Sequence, residues 1–582
     1  MSVDTLLPIT QNTSRVSFAI KINGEEMPAS VPVMSIVIYN EVNRIPSASI
    51  CVADGDAALA DWAVSNTDWF LPGNEIEILA GYQSENETVF KGIVTRHSLC
   101  VRQQRRELNV ECRDKAILMT ISRNSALFSD VKDSDIASTL LEAYGLVGSI
   151  DDTPVTHDEI IQYDCSDWDF LMSRIDSVGF VSIAHDGAVD ITKPEVATEA
   201  VATIRFGTNL IEFDAEIDGC QQYGSVKAQA WDPSSQDLLE VESNDPAWTT
   251  PGNLSAADMG SSAGAAEYTL RQPGKLSEEE AQQWADTKLL RSRMAFMCGR
   301  AKVEGFSQAL PNITVSLEGL GTRFNGMGWV SGVRHDISHG NWLTDIQLGL
   351  AQDYHVEKFK THTPDAASLL PGIRGLHTGV VSALEGDPDS EGRIRIKIPS
   401  VALDGEGFWA RLSTLDAGDN RGSVFLPDIH DEVLVGFLNN DPRQPVVLGS
   451  MHSSAKASPL EASDDNYKKG FTTKSGMHIL FDDEKKIITI DTPGGNSITL
   501  DDDKKQIQLL DQNGNKILHS GDGITIESAK DLILKAKQNI KMESSLAFEA
   551  KAGTQFKAEG SAGLEVSSSA VTTVKGSLVQ IN

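Results

Sequence analysis

From Gly523 onward the chain repeats every eight residues. Ile524, Leu532, Ile540, Phe548, Phe556 and Leu564 recur at one position, and Thr572 follows in phase. Two residues further on stand Ile526, Leu534, Met542, Ala550, Ala558, Val566 and Val574. Two beyond those, every residue is small, from Ser528 to Gly576. Positions two apart on a strand face one side, so each unit turns two apolar groups and one small group the same way. Eight residues at about 3.3 Å each make a short strand and a corner, which is one side of a prism. One chain stacking such units as a solenoid leaves that side open. Three chains, each giving one side per layer, close it. The repeat therefore predicts an intertwined homotrimer. Its core would hold Ile524, Ile526, Leu532, Leu534, Ile540, Met542, Phe548, Phe556, Leu564, Val566 and Val574.

Between those positions run Glu527, Lys535, Glu543, Lys551, Glu559, Ser567 and Lys575. Stacked units set each Glu beside a Lys, which rewards the correct register and penalises a slip by one unit. Each exposed pair contributes only ~0.2–1 kcal/mol, so the ladder selects register more than it stabilises.

The 582 residues suit several domains, and 40% apolar with 23% charged residues excludes wholesale disorder. The net charge of −33 disfavours nucleic acid and anionic membranes as partners, since both demand excess Lys and Arg. That charge is uneven. Residues 456–582 hold 16 Lys, no Arg and 18 Asp+Glu, a balance of −2, so −31 lies ahead of them. The acidic excess either keeps a large assembly soluble or complements basic partner surfaces. No apolar run is long enough to cross a bilayer, and the first residues show no secretory signal. Cys51, Cys100, Cys112, Cys165, Cys220 and Cys298 are widely spaced and read as reduced thiols of a protein made in the cytosol.

Residues 1–365 mix strands with a few helices. VSFAIKING, SIVIYNEV, NEIEILAGY and ELNVECRD alternate as half-buried strands do. Ser134 and Ser166 are candidate N-caps with Gly145 and Gly179 as stops, and Ser277 with Glu280 forms a capping box before a helix over AQQWADTKLLRSRMAFMCG. The stretch from about 242 to 275 reads as a long loop. Residues 371–450 carry short strands separated by turns, the pattern of a small OB-type barrel. A polar linker over 451–469 and a β-meander neck over 470–520 lead into the 521–582 needle. The fold class is mainly β: a β-rich α+β hub, an OB-type barrel and a C-terminal intertwined triple-stranded β-helix.

The barrel block resembles the OB domain of VgrG and phage baseplate spikes. The matching residues are Asp387, Pro388, Gly392, Arg393, Trp409, Arg411, Pro427, Asp431, Glu432, Asp441, Pro442 and Gly449. LPGNEIEILAGY and QYDCSDWDFLMSRIDSVGF resemble the hub half of the same family. The resemblance implies a non-enzymatic trimeric hub and puncturing spike of a contractile injection machine: type VI secretion, a contractile phage tail or an extracellular particle. It implies a tube hexamer, baseplate proteins, a PAAR-like tip protein and a possible toxin cargo as partners. The target membrane is met only mechanically, without cofactor or nucleic acid. The chain is expected to be made in the bacterial cytoplasm and released with the particle. Leu578, Val579, Gln580, Ile581 and Asn582 would seat the tip. No room for a lysozyme-type domain separates barrel from prism, and no histidine follows His519, so neither that enzyme nor an HxH metal tip is expected.

Other chemistry is weaker. His430 among Asp428, Asp431 and Glu432 fits a turn better than a metal site, because the spacing matches no ligand set. Asp482-Asp483 and Asp501-Asp502-Asp503 read as turn residues without EF-hand spacing. His335-Asp336 has no nucleophile elbow to complete a triad. The rival readings are a delivered hydrolase and a trimeric fibre adhesin.

Overall fold

The computed structural model describes residues 15–103, 105–401 and 404–581. It divides into two compact units. One holds the chain up to Ile373 together with Asn439–Pro442, and the other holds Arg374–Leu438 and the chain from Arg443.

The first unit is built on a 13-stranded sheet. The alternating sequence segments fall in its strands Val16–Ile22, Val33–Glu41, Glu75–Tyr82 and Arg105–Arg113. Their inward residues, among them Ile20, Ile38, Ile50, Ile78 and Val110, form one core with Phe70. The opposite end of the sheet, around Ala301, Val303, Val330 and Ile346, packs a second core with Phe296. A third core lies between helices Asp133–Ala143 and Asp167–Ser177, where Ile136, Leu171 and Met172 are fully buried.

Local signals explain the helices. Ser166 Oγ accepts from Asp169 N at 3.1 Å, and Gly179 takes φ +74° just past the end. Ser277 and Glu280 exchange bonds as a capping box, with Ser277 N donating at 3.0 Å and Glu280 N at 3.1 Å. Three expectations are corrected. Ser134 does not cap: the helix begins at Asp133, and the Asp135 carboxylate takes the Lys132 N–H at 3.0 Å. Ser134 N donates instead to Thr153 Oγ1 at 3.1 Å. The helix after Ser277 ends at Met294, because Met297–Glu304 is taken up as a strand of the large sheet. The stretch read as a loop contains helix Ala256–Ser262, capped by Ser255, and strand Ala265–Gln272, which pairs in parallel with Tyr223–Asp232.

In the second unit, strands His377–Ala383, Ile394–Lys397, Phe408–Leu412, Glu432–Phe437 and Pro445–Ser450 close into a barrel. Val381, Ile394, Ile396, Ala410, Val433 and Val447 fill it. Seven five-residue strands come next, from Lys468–Thr472 to Gly523–Glu527, all antiparallel neighbours in sequence. Their turns are fixed by aspartates: Asp482 accepts from Lys485 N, Asp501 from Lys504 N, and Asp511 from Asn513 N and Asn515 N.

Candidate functional site

The family residues of the barrel tie down its turns. Asp387 accepts from Glu391 N at 2.8 Å and Arg393 N at 3.1 Å through one oxygen. Its other oxygen takes Arg393 Nη2 at 2.6 Å and Nε at 3.0 Å, a forked pair. The Arg393 guanidinium holds the Asp387 carboxyl well below the usual carboxylate range. Gly392 sits between them at φ +69°, the left-handed turn that brings Arg393 back onto Asp387. Pro388 is exposed on the same turn. Trp409 lies under Arg395, whose guanidinium carbon is 5.0 Å from the ring centroid. Arg411 points to solvent from the same strand, Pro427 and Asp441 are buried, and Glu432, Pro442 and Gly449 are half-buried.

Asp431 fastens the barrel to the connector behind it. It accepts from Asp428 N at 2.8 Å and from Lys456 Nζ at 2.7 Å, and Lys456 also bonds the His430 carbonyl at 2.7 Å. The Lys456 ammonium lowers the Asp431 carboxyl. Lys474 reaches Asp428 at 3.2 Å. His430 takes φ +72° in this exposed turn. Among the described residues no group of three or more His, Cys, Asp or Glu is placed to hold a metal ion. His335 is buried, with Nδ1 2.8 Å from Thr344 Oγ1 and 3.3 Å from Trp342 Nε1, and desolvation pushes its pKa down to about 4. That environment is structural.

Past Glu527 the chain stops pairing with itself. Residues 528–581 hold no strand, and bends fall at 529–530, 537–538, 545–546 and so on to 577–578, one pair every eight residues. Among the described residues no backbone-to-backbone hydrogen bond joins this segment to any other part of the chain. The predicted prism core, Ile524, Ile526, Leu532, Leu534, Ile540, Met542, Phe548, Phe556, Leu564, Val566 and Val574, stands 52–72% exposed. Leu578, Val579, Gln580 and Ile581 are exposed at the end, and Asn582 lies outside the described residues.

The same face begins upstream. Across the meander, Phe471 pairs with Ile479, Ile479 with Ile490, Ile490 with Ile498, Ile498 with Leu509, Leu509 with Ile517, and Ile517 with Ile526. These side chains form one apolar stripe, still open to solvent, that continues into the octads. Phe425, whose ring stacks on Phe471 at 5.6 Å, extends it to an exposed barrel segment with Val424 and Leu426. Sequence reading missed this last part, because the run GSVFLP reads as one more barrel strand, whereas residues 423–429 hold no strand.

Residues 12–339 match the family described as the Alg8 N-terminal domain. Residues 377–452 match the type VI secretion system/phage-baseplate injector OB domain. A type VI secretion system spike protein of Pseudomonas aeruginosa, VgrG1b, is 28% identical over 127 residues, covering 21% of this chain and 17% of that protein. The chain is similar to VgrG-like hub and spike proteins. Its front half carries the Alg8 N-terminal domain. Two solved structures are similar to it. The 43 kDa tail protein of prophage MuSo2 from Shewanella oneidensis matches 58% of this chain and 98% of its own at 12% identity, with a TM-score of 0.44. The E. coli c3393 protein, a component of the type VI secretion system, matches 74% of this chain and 99% of its own at 13% identity, with a TM-score of 0.37. The alignment spans less than a fifth of the length of the VgrG1b relative.

Proposed function

We propose that this chain is the trimeric hub and spike of a contractile injection machine. Three copies wind their 528–581 segments into a needle. The hub plugs the inner tube among baseplate proteins, and the blunt end around Leu578–Ile581 seats a PAAR-like tip protein. Contraction drives the assembly mechanically through a target membrane, with toxin cargo carried on it and no nucleic acid bound. The role is non-enzymatic, which the spike-protein identity of the relative supports. The chain is made in the bacterial cytoplasm, forms part of the injection particle and is released or driven into the target on contraction.

One observation carries this reading. A segment with a bend every eight residues exposes an in-phase row of Ile, Leu, Phe and Val and, among the described residues, makes no backbone-to-backbone hydrogen bond to the rest of its chain. Backbone groups need partners and apolar faces need covering, and copies of the same segment supply both. The test is the native mass of the full chain beside one truncated before Gly523. A full-length trimer that is lost on truncation is expected. A full-length monomer would remove the needle and return the delivered hydrolase and the adhesin to first place.

A further inference from the structure

One histidine interrupts the apolar face of the meander. Beside the stripe that runs from Phe471 to Ile526 lies a second row, two residues away on each strand. It is Phe481, Ile488, Leu500, Ile507, His519 and Ile524, each directly opposite the next. Both rows face the same side, because side chains alternate along a strand. The row between them faces the other way and carries Thr489, Thr499, Gln508 and Thr525. Ile524 and Ile526, which open the octads, end the two apolar rows. The face that the needle turns inward is therefore the face that holds His519.

His519 has apolar neighbours on every side of that face. Ile507 and Ile524 stand opposite it on the two adjoining strands, and Ile517 lies two residues before it. In the single chain its side chain is exposed, and among the described residues the ring has no hydrogen-bond or ion-pair partner. The other histidine of the meander, His478, lies on the opposite face and meets Asp491 at 3.1 Å. No Asp or Glu stands on the inward face of the seven strands. Closing three such faces on one another would bring three imidazoles into one apolar layer. As imidazolium they would be three like charges buried without a counter-ion. As neutral imidazole each keeps one bare ring nitrogen, an acceptor in search of a partner. Three bare imidazole nitrogens around an axis are a ligand set for a divalent transition metal. Among the described residues one chain gathers no such set, so the threefold has to supply it.

We propose that the His519 side chains of three copies bind one divalent transition-metal ion, of the zinc class, inside the neck. The site lies in the layer just before the chain stops pairing with itself. A metal there ties the three chains in register at the point where the octads begin, and its binding free energy adds to that of the assembled trimer.

This inference rests on the trimer of the proposed function, and one experiment separates the two. The full chain is loaded with Zn2+, freed of excess metal by gel filtration, and its native mass and zinc content are measured together. One zinc per three chains is expected. His519→Leu, which continues the row of Leu500 and Ile507, should remain trimeric and lose that zinc, and His519→Gln should lose it as well. Chelator should lower the melting temperature of the unaltered trimer and leave that of His519→Leu unmoved. A trimer without zinc, or zinc retained equally by both variants, would overturn the metal site and leave the trimer standing. A native mass of one chain would overturn both.

Discussion

The hub sheet and the C-terminal needle answer the same physical question in opposite ways. In the hub, strands distant in sequence meet: Val33–Glu41 pairs with Gly326–Ser338, and the cores beneath hold fully buried Phe70, Ile50 and Leu108. Backbone groups and apolar side chains there find partners within one chain. In the needle, among the described residues, the backbone makes no backbone-to-backbone bond to the rest of the chain, and the largest side chains, Phe548 and Phe556, stand in solvent. The meander lies between these extremes, with its backbone paired strand to strand and its apolar stripe still open. In the proposed trimer, completion of the fold would thus pass along the sequence from within the chain to between chains. Stability of the hub should depend on its own packing, and stability of the needle on concentration and stoichiometry.

The largest effect should come from the needle axis. Phe548→Asp would bring three unpaired carboxylates together in a closed prism, each costing several kcal/mol to bury. The native mass should fall from three chains to one, whereas Phe548→Leu should keep the trimer. The hub should answer differently. Phe296 is 1% exposed, and Phe296→Ala should cost about 3–5 kcal/mol in denaturant unfolding of the hub. Native mass should not change, because the clamp lies elsewhere. A trimer lost with Phe296→Ala but kept with Phe548→Asp would invert the comparison.

Acid should also separate regions. Burial holds the His335 imidazole down near 4, against an ordinary 6.5, so the folded hub favours its neutral form. The contribution is complete above pH 6.5 and lost as pH falls toward 4, where about 3 kcal/mol is gone. In the barrel, the Asp387 carboxyl is depressed by Arg393, so that contribution is present above the ordinary carboxylate range and lost only below it. Hydrogen exchange followed peptide by peptide should therefore show the strand around His335 loosening between pH 6.5 and 4 while the Asp387 turn stays protected. His335→Gln should flatten the hub's response. Simultaneous loosening of both would remove the distinction.

Legibility in the sequence obeys the same divide. Period-two alternation marked Val16–Ile22 and Glu75–Tyr82, because one face of each strand is buried by near neighbours. The octad was legible because its pattern is strictly local. Ala256–Ser262 and Ala265–Gln272 were not, since small and polar residues there are held by Tyr223–Asp232 and by the Ser255 cap rather than by their own periodicity. Ser134 misled because the helix starts one residue earlier, where Asp135 accepts the Lys132 N–H and Ser134 N itself donates to Thr153 Oγ1. The turn chemistry of Asp387, Gly392 and Arg393 was visible as motif residues, but their geometry needed the barrel.

The smallest effect lies in the charge ladder of the needle. Glu527, Lys535, Glu543, Lys551 and Glu559 are exposed and one unit apart, so trimer layers would set unlike charges side by side. Glu543→Lys replaces two attractive neighbours, Lys535 and Lys551, with two repulsive ones in each chain. Exposed pairs are worth ~0.2–1 kcal/mol and are screened by salt. The trimer should therefore persist, with its melting temperature lowered by a few degrees at low ionic strength and the loss shrinking in high salt. Reversing the whole ladder, with Glu527→Lys, Lys535→Glu, Lys551→Glu and Glu559→Lys beside it, should restore most of it. A loss that salt does not touch would mean that Glu543 packs within the needle rather than along its outside, and the two-apolar, one-small face assigned to each octad would have to be turned by one residue.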